Sequence, residues 1–181
     1  INLASNITGT LPVANGGTAI TSGFINGTAT PGKVLQVINS ENAYATSTTA
    51  SGYTDMLSSS GTTWETAITP SATSSKILVI TSIMIYWEEN GNSNNRGDST
   101  LNYKVGSGSY SQVQSGMIGN YDYGGNGVQS RNRLTFNYLI SPNTTSAVTI
   151  KFAYNSAGGC TGVVNDGGDA DSNVTLFEVG A

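Results

Sequence analysis

The stretch KILVITSIMIYW, Lys76 to Trp87, is apolar at nearly every position. A strand packed on one face alternates apolar and polar residues, and this run does not; coverage on both faces explains it. Its Ile, Val, Thr and Tyr content suits a pleated surface rather than a helix. Its unbroken apolar runs, Ile77 to Ile80 among them, are far too short for a membrane-spanning helix, so no membrane insertion is expected.

The flanking segments alternate more cleanly. Leu101, Tyr103 and Val105 oppose Asn102 and Lys104, while Leu134, Phe136, Tyr138 and Ile140 oppose Thr135 and Asn137. Val148, Ile150, Phe152 and Tyr154 oppose Thr149 and Lys151, and NVTLFEV (Asn173 to Val179) reads as a closing strand. Upstream, KVLQVI (Lys33 to Ile38) and TTWETAI (Thr62 to Ile68) read as strands, the second stopped by Pro70. Ser141 to Ser146 reads as a hairpin or short connection. Gly, Asn and Ser clusters between such runs, with no capped helix anywhere, make the chain all-β, an antiparallel sandwich.

Composition agrees and narrows the partners. Only 10% of the 181 residues are charged, and 23 are glycine. The net charge of -4 leaves seven scattered Lys and Arg, which excludes a phosphate-binding surface and so a nucleic-acid partner. The single Cys160 cannot form an internal disulfide, so stability rests on packing or assembly; a free thiol suits a reducing cytoplasm. From Ile1 to Pro31 the texture differs. Ile1, Leu3, Ile7, Leu11, Val13, Ile20 and Phe24 are sparse and follow neither strand nor helix period. Such a segment cannot offset its own ordering entropy unless it packs against something else. Two units follow, residues 1–31 as an extended stalk or linker and 32–181 as the head. An opening on Ile1 rather than Met is expected of a processed or excised piece.

Catalytic chemistry is scarce. Without histidine there is no Ser-His-Asp or Cys-His arrangement. Cys160 lacks such a partner, and no glycine cluster continues into a phosphate loop. Glu88 and Glu89 are adjacent and would point to opposite faces of a strand. Asp166, Asp169 and Asp171 fall in one short run, but their spacing is not that of an EF-hand, and a solvated turn accounts for them. No enzyme activity, cofactor or resident metal is expected. Arg96-Gly97-Asp98 spells an integrin tripeptide, for which ordinary turn chemistry suffices.

The stretch NLASNITGTLPVANGGTAITS, Asn2 to Ser22, resembles a segment of tail-fibre and other appendage proteins of tailed bacteriophages, especially marine and cyanobacterial ones. Ile7 stands where that segment usually has valine, and Ala19 where it has glycine. Ser141 to Ser146 and Thr175-Leu176-Phe177-Glu178-Val179 resemble the turn and closing strand of the small β-domain that ends such fibres. The resemblance implies a jelly-roll-like head assembled as a homotrimer behind a slim stalk. It implies a virion appendage made in the host cytoplasm and joined to other virion proteins through its upstream part. The partner implied is a host-surface glycan or outer-membrane receptor. Receptor-binding candidates are loop residues with aromatic, amide or guanidinium groups: Tyr121, Tyr123 and Asn126 in YDYGGNG, and Asn95 and Arg96 in ENGNSNNRGD. The alternatives are a capsid or neck fibre, or a trimerisation module, without receptor binding, and a polysaccharide depolymerase.

Overall fold

The structure, a computed structural model, describes residues 32–88, 95–122, 129–156, 160–166 and 171–180. The strands are β1 (Val34–Asn42), β2 (Thr46–Thr48), β3 (Thr54–Asp55), β4 (Glu65–Ile68), β5 (Lys76–Glu88) and β6 (Asn95–Val105). They continue with β7 (Ser111–Asp122), β8 (Gln129–Leu134), β9 (Asn137–Ile140), β10 (Val148–Tyr154), β11 (Thr161–Val164) and β12 (Ser172–Val179). All pairings are antiparallel, and no described residue is helical.

Most strands are halves of longer rows. β12 and β11 pair in turn with the first and second halves of β5. Between them Asn165 donates its N–H to the Met84 carbonyl (3.1 Å), and the Met84 N–H donates to Ser172 Oγ (2.9 Å). Both bonds leave the same residue of β5, so β11 and β12 lie along the same side of it. On the other side β9 and β8 form one row, broken where Thr81 N–H bonds the Phe136 carbonyl (3.0 Å). β1 and β2 continue one another along β12 and β11. The first sheet therefore has the row order β1/β2, β12/β11, β5, β9/β8. The second has β3/β4, β10, β6, β7. Eight rows in these two orders are a jelly roll.

The core lies between the sheets. Ile77, Val79, Ile83, Ile85 and Trp87 of β5 meet Leu101, Val148, Ile150, Phe152 and Tyr154 of the second sheet. Phe152 sits against Trp64 and Phe136, with ring centroids 5.9 Å apart in both pairs.

Four local expectations need correction. The described residues do not cover β5 on both faces: its odd positions are buried, but Leu78 is only partly covered and Ile80 is exposed. The alternating run 134–140 is two strands, because Phe136 turns into the core and bonds Thr81. The strand ending before Pro70 starts only at Glu65, since Ser58 to Thr62 close a tight turn. Residues 111–122 form β7, a strand that their mixed Gly, Ser and Gln content conceals.

Candidate functional site

Several strand ends gather at one end of the sandwich. Glu88 pairs with Thr161 on one side and Gln129 on the other, Asn95 pairs with Asp122, and Thr48 pairs with Gly162. The ends of β5, β6, β7, β8 and β11, with the residues that follow Thr48, therefore share a rim. At the opposite end Gly32 N–H bonds the Gly180 carbonyl (2.7 Å), and Gly180 N–H bonds Lys33 (2.8 Å). The first and last described residues meet there, away from the rim.

The rim has a rigid floor built on Asn155. Its backbone N–H donates to Asp98 O (2.9 Å), its Oδ1 accepts from Asp98 N–H (2.8 Å), and its Nδ2 donates to Ser51 O (3.3 Å). Trp87 Nε1 donates to the Asn155 carbonyl (3.0 Å), fixing the indole beneath the rim. Ser156 N–H bonds Ala50 O (2.8 Å), and Ser156 Oγ bonds the Cys160 carbonyl and lies 3.0 Å from its sulfur. Cys160 is fully buried and belongs to this floor. Sequence reasoning did not single out Asn155; its partners are far away in the chain, so no local pattern marks it.

The sequence candidates distribute as follows. Arg96 pairs with Tyr121 and Asn95 with Asp122, so two stretches distant in sequence meet side by side at the rim. Residues 95–98 belong to strand β6 rather than to a loop, and Arg96-Gly97-Asp98 is therefore part of the sheet. Tyr123, Asn126 and Asp169 lie outside the described residues. Asp166 pairs with Arg131 at 2.5 Å, and Arg131 also lies over the Tyr86 ring, 4.9 Å from its centroid. Burial, then the Asp166 and Glu88 carboxylates, push the Tyr86 hydroxyl above its ordinary range. Asp171 is exposed, and its carbonyl accepts from Arg133 Nη1 (3.1 Å). Among the described residues no three His, Cys, Asp or Glu side chains come together as a metal site.

No family model matches the sequence, and no curated protein matches it. Among solved structures the chain is similar to that of infectious bursal disease virus Gx strain, with 14% identity and a TM-score of 0.35 over 81% of this chain and 43% of that one. It is similar also to the VP2 subviral particle of that virus, with 17% identity and a TM-score of 0.37 over 81% of this chain and 38% of that one. A third likeness is to the T13 particle of the virus, with 13% identity and a TM-score of 0.39 over 83% and 36%. The chain thus spans about two-fifths of the structures it matches. At such identities and TM-scores the likeness carries no argument about function.

Proposed function

We propose that this chain is a virion structural protein, the head of a bacteriophage fibre or appendage, and that its rim attaches to a glycan on the host surface. The observation that carries the reading is the gathering of strand ends, over the hydrogen-bonded floor on Asn155, at the end opposite Gly32 and Gly180. A rigid sandwich that presents loops far from its point of anchorage has the layout of a recognition module. The register sets Arg96 opposite Tyr121, so a guanidinium-bearing residue and an aromatic one are cross-strand neighbours, residue types suited to a sugar ring. The role is binding without a catalytic step. Each hydrogen bond to a sugar hydroxyl contributes only about 0.5–1.5 kcal/mol net, so useful attachment requires several heads acting together, which a homotrimer supplies.

The test is glycan-array binding by the purified chain, compared with the variant Tyr121→Ala with Tyr123→Ala. Binding to at least one glycan class by the parent chain, lost in a variant of unchanged sedimentation and thermal unfolding, is the expected result. Equal binding by both proteins removes the tyrosines from the site, and an unfolded variant assigns them to the core. A parent chain that binds no glycan favours a second reading, a purely structural module. That reading draws on the apolar outer surface of the first sheet, where Val34, Val37 and Leu139 are each about half exposed.

A further inference from the structure

At the end where Gly32 meets Gly180, remote from the rim, the edge rows of the two sheets leave an open cleft of about 390 Å³. Tyr103, Ser111, Gln112 and Val113 line it from the second sheet, and Tyr138 and Ser141 from the first. Its distance from Tyr121 follows from the length of β7: ten residues separate Ser111 from Tyr121, roughly 33 Å of strand.

Tyr138 is the anomaly. It pairs with Val79 and so occupies an inward-facing position, as Ile140 does opposite Ile77. Val79 and Ile140 are buried, whereas Tyr138 is 36% exposed. Tyr103 likewise pairs with the buried Ile150 and is only partly covered. Two aromatic residues on the inward sides of opposing sheets thus border a space that the sandwich leaves unfilled. Interiors are otherwise packed to crystal density, so an unfilled volume of ligand size at an inward-facing position is a feature to explain.

The chemistry of the lining selects a ligand class. No side chain in it is ionised at neutral pH, which disfavours an anion or cation. Tyrosines offer flat apolar faces with polar ends, and Ser111 and Ser141 offer hydroxyls. The Gln112 amide is held in place by its bond from Nε2 to Thr100 Oγ1 (2.9 Å). Aromatic faces ringed by neutral donors and acceptors match a pyranose, apolar across its C–H face and hydroxylated at its edge. We infer that this cleft seats a neutral sugar unit, as a second site distinct from the rim. The inference rests on the attachment reading for the source of that sugar, not for the site itself.

The full chain is titrated with D-glucose, D-galactose, D-mannose and N-acetyl-D-glucosamine, followed by saturation-transfer NMR and chemical-shift mapping. Variants Tyr138→Ala and Ser141→Trp are titrated alongside; both positions are exposed, so each variant leaves the core intact. One of the four sugars is expected to bind the parent chain. Binding weakens about tenfold in Tyr138→Ala, which loses one aromatic contact, and disappears in Ser141→Trp, whose indole fills the cleft. The Tyr121→Ala variant binds that sugar normally. Failure of all four sugars to bind overturns the inference, as does binding that survives both cleft variants. A change of oligomeric state in Tyr138→Ala also overturns it, because a second copy of the chain then occupies the space. Glycan-array binding that depends on Tyr121 but on neither cleft residue sinks the cleft and leaves the attachment reading standing.

Discussion

Gly97 lies against Trp87 so closely that a Cβ at this position would sit 1.4 Å from the indole Nε1. That contact explains the glycine in Arg96-Gly97-Asp98 without any adhesive role: strand β6 crosses the buried indole, and only a hydrogen fits between them. A Gly97→Ala chain must displace the indole and break its bond to the Asn155 carbonyl. Overpacking together with a lost buried hydrogen bond is expected to cost about 3 kcal/mol. Gly162 faces the same indole with more room, since its Cβ would lie 3.1 Å from Nε1. Gly162→Ala should therefore cost about 1 kcal/mol. Urea unfolding followed by tryptophan fluorescence measures both; equal midpoints for the two variants would contradict the geometry. The tripeptide was legible in the sequence, but its reason was not, because Trp87 and Gly97 are joined only by the fold.

β12 shows how an alternating element can carry its alternation the unexpected way round. Val174, Leu176 and Glu178 face inward, while Phe177 and Val179 face out. Glu178 is 1% exposed, and its carboxylate accepts from Ser71 N–H and Ser71 Oγ (2.6 Å each) and from Gln36 Nε2 (2.7 Å). Burial by itself would push this carboxyl up. The bonds from Ser71 and Gln36 outweigh it and hold the group below its ordinary range. The buried Ser75 hydroxyl lowers it further. A depressed folded-state value means that the unfolded chain takes up the proton first as pH falls. The stabilisation is thus complete above the ordinary Glu range and is lost as pH falls through the folded value. Glu178→Gln should lose about 1–3 kcal/mol at pH 7 and show a flatter decline in stability between pH 5 and pH 3. Urea midpoints across that interval measure it, and parallel acid limbs in the two proteins would refute the assignment. The sequence showed β12 as a strand but not its facing, which depends on a partner in the connection before β5. The same limit hid the split rows, since Phe136 and Asn165 interrupt their strands to bond residues of β5.

Across the whole molecule the two outer faces differ in kind. On the second sheet Lys151 pairs with Asp55 at 2.7 Å and Lys104 with Glu65 at 3.3 Å, and both lysines approach the Tyr110 ring. On the first sheet one line of register runs Val37, Phe177, Leu78, Leu139, with Val34 beside Val179 and Ile80 nearby. None of these side chains is buried, and Val37 and Leu139 are 51% and 49% exposed. An outer sheet face ordinarily carries the polar half of the alternation, so a continuous apolar row is a surface suited to a partner. The same row accounts for the long apolar run of β5 that the sequence displayed. Its second covering has to come from outside the residues that form the sandwich. We predict that the purified chain self-associates through this face, three copies per particle, and that Val37→Asp with Leu139→Asp raises the dissociation constant by about 100-fold. Two apolar contacts of about 1–2 kcal/mol each set that scale. Neither residue lies in the core, so the variant should keep the thermal unfolding of the isolated head while sedimenting as one chain. If the parent chain already sediments as a stable monomer at micromolar concentration, or if the doubly charged variant stays assembled, the face has another partner.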